Sequence, residues 1–163
     1  MCRGRPGLTH RTYPPLRYAS YVTLVLVASD VSTLRQEIRA TVEAPDLEVA
    51  EVASGPEFFA YLEENDVDLA IIDMQIGAMG AMAITVDLRN DESAGTSEHL
   101  PVLMLLDRRP DVFLARRSGA EGFLVKPLDP QRIRRAVRVL LRGEGFEDDS
   151  WKPLTVRVGE LSA

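Results

Sequence analysis

VDLAIIDM, residues 67–74, decides the fold. Leu69, Ala70, Ile71 and Ile72 form an unbroken apolar run that is too short for an independent helix and rich enough in Ile to read as a strand. A strand with one wet face would alternate. An unbroken run is covered on both faces, as in a parallel sheet held between two layers of helices. The run closes on an acid, Asp73. Working outward, the same unit recurs: residues 21–28 (YVTLVLVA), 100–106 (LPVLMLL) and 122–125 (GFLV) are also apolar runs, and residues 47–53 read as a shorter, less buried strand.

The segments between these runs carry helical spacing. Residues 32–43 place Leu34, Ile38 and Val42 on one face, and Ser54-Gly55-Pro56-Glu57 has the form of a capping box that opens a helix through Leu62. Phe58, Phe59 and Leu62 read as core. Residues 81–89 and 111–118 are further helices, with residues 90–99 (NDESAGTSEH) as a polar loop. A last helix spans residues 130–142, with Asp129 as N-cap, Pro130 in the first turn and Gly143 as the stop. Strand followed by helix, five times over, predicts an α/β domain with a parallel sheet covered on both sides.

Bulk properties set the limits. The chain has 163 residues, 45% apolar and 27% charged, which suits one globular domain with short tails. Its single cysteine, Cys2, excludes an internal disulfide and a cysteine metal cluster, and this fits a reducing, cytoplasmic setting. The net charge of −6 divides into +4 on residues 1–20 and −10 on the rest. An acidic body argues against nucleic acid as a partner. No apolar stretch is long enough to span a membrane. Residues 1–19, with Pro6, Pro14 and Pro15, are expected to be a disordered basic leader. Residues 20–143 are the domain. Residues 144–163 are expected to be an acidic tail, too short for an output domain.

In an open parallel sheet, ligands bind outside the carboxyl ends of the strands. Those ends carry Ser29-Asp30 after the first strand, Asp73 after the third, Leu106-Asp107 after the fourth and Lys126-Pro127 after the fifth. Each group taken singly is an ordinary turn residue. Together they bring carboxylates and an ammonium to one edge. Such oxygen ligands suit Mg²⁺, which accepts one or two carboxylates and keeps several waters. A carboxylate beside a metal and a lysine can act as a nucleophile toward a phosphoryl group. The stretch SDVST after the first strand is not a glycine-rich phosphate loop, which weighs against a P-loop or dinucleotide enzyme.

Four segments in order, VLVASDVSTLR, LAIIDMQIGAMGAMAI, LPVLMLL and GAEGFLVKPLDP, make the chain resemble the bacterial response-regulator receiver domain over residues 22–142. The resemblance implies a flavodoxin-like (CheY-like), doubly wound, five-stranded parallel sheet of order 2-1-3-4-5. It implies Asp73 as phosphoryl acceptor, Asp30 as a direct Mg²⁺ ligand, Gln75 as a ligand through its backbone carbonyl, Lys126 as a phosphoryl contact and Phe123 as the switch aromatic. This sequence departs from the family pattern at several points. Ser29 stands at the first acidic position, so metal affinity is expected to be weak. Leu106 stands where the family has Thr or Ser, and it cannot hydrogen-bond a phosphoryl oxygen. Asp107 follows where a small residue is usual, and Gly77 replaces a common proline.

The implied function is a stand-alone, non-enzymatic receiver in a phosphorelay. It would act by protein–protein contact with a sensor histidine kinase or another signalling protein, with a homodimer possible. Arg134, Arg138 and Arg142 recur at four-residue spacing on the last helix. They read as a docking face for an acidic protein surface, against the plainer reading of a solvated face. The rivals are a pseudo-receiver that binds its partner without phosphorylation, as a subunit or adaptor of a larger assembly, and a small flavodoxin-like flavin or nucleotide enzyme.

Overall fold

Strands and helices alternate along the chain as β1 (Thr23–Ala28), α1 (Ser32–Val42), β2 (Leu47–Val52), α2 (Gly55–Glu64), β3 (Leu69–Asp73), α3 (Ala81–Ser93), β4 (Val102–Leu106), α4 (Asp111–Ser118), β5 (Gly122–Val125), α5 (Pro130–Leu141) and β6 (Phe146–Glu147). The computed structural model of the chain describes residues 21–150. The expectations for residues 1–19, and for the tail beyond residue 150, lie outside the described residues. The sheet order is β2-β1-β3-β4-β5-β6, and every neighbouring pair is parallel. The expected order 2-1-3-4-5 is present, with one strand added beside β5.

Alternation along each strand divides the core in two. Leu26, Ala28, Ile72, Met104, Leu106 and Phe123 face a cluster with Phe58 of α2, Ile84 of α3 and Val112 of α4. Val25, Val27, Ile71, Leu103, Leu105 and Leu124 face the other, with Ile38 of α1 and Ile133, Val137 and Leu140 of α5. Residues 25–28, all of β3 and all of β4 are buried, as a two-sided sheet requires. The strand starts are later than the apolar runs imply. Val22 precedes β1 and is exposed, and β4 opens after Pro101, which has no N–H for a ladder.

The caps follow the sequence. The Ser54 side chain accepts from the Glu57 N–H, and the Glu57 carboxylate accepts from the Ala53 N–H at 3.0 Å. Asp129 accepts from the Arg132 N–H at 3.0 Å, and Gly143 leaves α5 with φ of 79°.

Two expectations need correction. The helix expected to stop at residue 89 runs to Ser93. The polar residues that read as a loop carry tertiary bonds instead. Arg89 ion-pairs with Glu92 and Glu121 and donates to the carbonyls of Gly119 (2.9 Å) and Leu100 (3.1 Å). Glu92 in turn accepts from the Leu100 N–H at 3.0 Å, and Glu121 from the Val102 N–H at 2.8 Å. This network clamps the entrance of β4 to the end of α3. The second correction concerns the acidic tail. Its first residues add β6 to the sheet, and its Asp148 is buried at 2% exposure.

Arg89→Ala removes both backbone contacts and leaves two glutamates without their cation. It should lower unfolding stability by about 2–3 kcal/mol, measured by chemical denaturation. Arg117→Ala, on exposed α4 surface, should change stability by less than about 0.5 kcal/mol.

Candidate functional site

Asp73 is the last residue of β3, and the parallel ladder places it beside Leu105 of β4. Sheet and loop leave it 1% exposed. A carboxylate that deep needs compensation, and three donors supply it. Lys126, one residue past β5, brings its Nζ to 2.8 Å from Asp73 Oδ1. The Gln75 backbone N–H donates to the same oxygen at 3.4 Å. The Ser29 hydroxyl, fully buried, donates to Asp73 Oδ2 at 2.8 Å and accepts from the Val31 N–H at 3.1 Å. A second carboxylate at position 29 would repel Asp73. Serine turns that repulsion into a hydrogen bond.

Lys126 is held from two sides. Its backbone N–H donates to the Leu106 carbonyl at 2.8 Å, continuing the β4–β5 ladder past the last strand residue. Its ammonium also reaches Asp107 Oδ1 at 3.0 Å. Asp107, which stands where the family has a small residue, serves as a counter-ion to the lysine. Burial alone would lower the Lys126 pKa, but the hydrogen bonds and charges of Asp73 and Asp107 outweigh it and hold the ammonium above the usual lysine value. It stays charged through the neutral range.

Asp30 is exposed. Its Oδ2 lies over the loop after β3, where a Cβ on Gly77 would sit 3.5 Å away. The absence of a side chain at Gly77 therefore gives that carboxylate room. Asp30 and Asp73 bring two carboxylates to this edge, a number that Mg²⁺ accepts. No group of three or more His, Cys, Asp or Glu side chains placed to hold a metal occurs among the described residues.

Leu106 is fully buried and Phe123 is 3% exposed, both in the same apolar cluster. The Arg116 guanidinium lies over the Phe123 ring, 5.8 Å from its centroid. Arg116 makes two bonds to the Glu147 carboxylate, 2.9 and 2.5 Å long. The α5 arginines have separate fates. Arg134 donates to the Thr41 carbonyl at 2.9 Å, tying α5 to α1, and Arg142 pairs with Glu144 at 2.9 Å. Arg138 is exposed.

Sequence reasoning placed Asp73 and Lys126 together, and the structure joins them. It did not find the Ser29–Asp73 bond or the pairing of Arg116 with Glu147. Nor did it find the buried Asp148, whose carboxylate accepts from the Val125 N–H at 3.0 Å and pairs with Arg132 at 2.6 Å. The signal for the last two was the run Phe146-Glu147-Asp148-Asp149, read only as acidic.

This doubly wound domain, with an acid and a lysine meeting at the carboxyl edge, defines the class of CheY-like α/β proteins. A chemotaxis response regulator of Vibrio cholerae superposes with a TM-score of 0.64 at 24% identity, over 72% of this chain and 97% of that one. A putative response regulator of Chloroflexus aurantiacus gives 0.67 at 24% identity, over 74% and 98%. The family model for the response regulator receiver domain matches residues 25–138, and the chain belongs to that family. An uncharacterized response regulatory protein of Mycobacterium tuberculosis is 36% identical over 124 residues, 72% of this chain and 90% of the relative. A nitrate/nitrite response regulator homolog of Haemophilus influenzae is 26% identical over 132 residues, 80% of this chain and 62% of the relative. The domain is thus a receiver of two-component signalling, a class that usually has no enzymatic role. No helix among the described residues is long and apolar enough to cross a membrane.

Breaking the central pair should be costly. Lys126→Met should destabilise by about 2–3 kcal/mol at neutral pH, because Asp73 stays buried without its cation. Much of that loss should disappear when Lys126→Met is made in an Asp73→Asn background. A coupling energy of at least about 1 kcal/mol is expected from the double-mutant cycle.

Proposed function

We propose that this receiver accepts a phosphoryl group on Asp73 and signals by protein–protein contact. The observation that carries the reading is the Lys126 ammonium, 2.8 Å from a carboxylate set at the carboxyl end of a parallel strand. In the transfer, an Asp73 oxygen attacks phosphorus, an O–P bond forms, and the bond from phosphorus to the donor nitrogen of a histidine kinase breaks. Lys126 would neutralise charge on the phosphoryl oxygens. Asp30, Asp73 and the Gln75 carbonyl would hold Mg²⁺, which supplies further charge neutralisation when bound. The setting is cytoplasmic, where such kinases present their phosphohistidine. Family membership favours signalling over the flavin or nucleotide enzyme as a rival.

A second reading has its own support. Both Asp73 oxygens are already engaged, and Leu106 packs with Phe123 in one apolar cluster. Leucine gains about 1.5–3 kcal/mol from such burial, and it has no hydroxyl through which a phosphoryl group could draw it away. An element that binds equally well in two states cannot shift between them. The second reading is therefore a receiver whose partner contact does not depend on phosphorylation, with the domain serving as a subunit or adaptor. In either reading Arg138, with Arg134 and Arg142 beside it on α5, offers positive charge to an acidic partner, and a homodimer remains one form that contact can take.

Treatment with acetyl phosphate and Mg²⁺ should add one phosphoryl group, seen by intact mass, and Asp73→Asn should abolish it. Unlabelled wild type would overturn the first reading. If labelling occurs and the Phe123 ring resonances stay unchanged with beryllofluoride, the second reading holds for the output step. A second test addresses the metal. Ser29→Asp should lower stability by about 2–4 kcal/mol in chelator, through like-charge repulsion in a buried site. Mg²⁺ should restore most of it. No recovery with Mg²⁺ would show that these groups do not form a metal site.

A further inference from the structure

Ser29 is the residue through which β1 meets the site, and its polar atoms are held one by one. Its N–H donates to the Val52 carbonyl at 3.2 Å, extending the β1–β2 ladder. Its hydroxyl oxygen accepts from the Val31 N–H, so the single hydroxyl proton is left for Asp73. Its carbonyl lies past the end of β1, and no backbone N–H among the described residues donates to it. A side chain does so instead. Arg35 Nη1, in the first turn of α1, donates to the Ser29 carbonyl at 2.5 Å.

Arg35 is itself aimed. Its backbone N–H donates to the Val31 carbonyl at 3.2 Å, and its Nε reaches Glu51 Oε2 on β2 at 3.3 Å. Both side chains are largely buried, at 17% and 20% exposure. The guanidinium is a planar fork, so a carboxylate fixed on one donor sets the direction of the others. Glu51 is held in turn by Arg39 at 3.3 Å, and Arg39 also donates to the Val49 carbonyl. The two arginines thus share Glu51, and each holds a main-chain carbonyl. Arg35 is the one whose carbonyl belongs to the residue that bonds Asp73.

We propose that Arg35, braced by Glu51, is the positioning residue of the acceptor edge. The Ser29 carbonyl and the Asp30 nitrogen belong to one rigid peptide plane. Holding that carbonyl sets two things at once: the height of the Ser29 hydroxyl against Asp73 Oδ2, and the direction in which Asp30 leaves the strand. Arg35 acts through these two residues on the group that attacks phosphorus. Such control is steep, because a misplacement of about 1 Å can cost about a hundredfold in rate. The role in transfer rests on Asp73 as the phosphoryl acceptor.

The test compares Arg35→Met with Arg39→Met in the full-length chain. Each variant takes a guanidinium from Glu51 and a bond from a backbone carbonyl. The donor is acetyl phosphate with Mg²⁺, a small acyl phosphate, so contacts of α1 with another protein do not enter. An Asp73 oxygen attacks phosphorus, an O–P bond forms, and the electron pair of the broken P–O bond leaves with acetate; no proton moves. Labelling of Asp73, timed by intact mass, should slow about tenfold or more in Arg35→Met. It should slow by less than about twofold in Arg39→Met, whose ion pairs are more exposed. Arg35→Lys, which keeps a donor for the carbonyl, should recover part of the rate, and Glu51→Gln should fall between wild type and Arg35→Met. The Val31 amide should lose protection from hydrogen exchange in Arg35→Met and keep it in Arg39→Met. Equal slowing in the two methionine variants, or a wild-type rate in Arg35→Met, overturns the positioning role. Should Arg35→Met fail to fold, Arg35→Lys and Glu51→Gln are set against Arg39→Met with the same expected order. A wild type that takes no label sinks the acceptor reading, and Val31 exchange then decides whether Arg35 sets Ser29: unchanged protection overturns it, lost protection supports it.

Discussion

A carboxylate with 1% of its surface in water is costly to bury unless the protein surrounds it with donors, and Asp73 imposes that demand on the whole carboxyl edge. β1 answers with the Ser29 hydroxyl, β5 with the Lys126 ammonium, and the loop after β3 with the Gln75 N–H. Each donor comes from a different element. The strand order is therefore what makes the site possible: β3 lies between β1 and β4, and the β4–β5 ladder sets the height of Lys126. The core serves the same end. The two apolar layers fix the strands in register, and register places three donors within hydrogen-bond reach of one buried group.

Ser29 and Asp107 alter the charge balance at that edge. With one carboxylate replaced by a hydroxyl and another placed on the far side of the lysine, Lys126 is shared between two anions. Asp73 keeps a hydrogen bond where the family pattern would have set a negative charge. The Asp73 oxygens are engaged by Ser29, Gln75 and Lys126.

The sequence showed most of this architecture because its signals are local. Two-sided strands announce themselves as unbroken apolar runs, and Ser54, Asp129 and Gly143 mark helix ends by their own side-chain chemistry. Asp73 and Lys126 could be paired because strand ends in a parallel sheet share an edge. The features that escaped are those whose meaning depends on distant partners. Residues 90–93 look like a loop until Arg89 and Glu92 are seen bridging to Leu100, Gly119 and Glu121. Asp148 looks like a solvated acid until the Val125 N–H and Arg132 are found around it. Its pKa records the same context: burial would raise it, but the donors of Val125, Ser150 and Arg132 prevail and hold it below the ordinary value. No window of residues contains that information.

The two outer strands of the five-stranded unit differ in how they face solvent. β2 carries Glu48 and Glu51, charges that discourage another strand from pairing along it. β5 reads Gly-Phe-Leu-Val, with no charge and every residue buried. Stripped of β6 it would be a bare apolar edge of the kind that templates aggregation. The short strand therefore also guards solubility. Ribosomal synthesis presents the same hazard in time: β5 emerges before its cover, and the nascent chain carries an open edge until residues 146–148 follow it out.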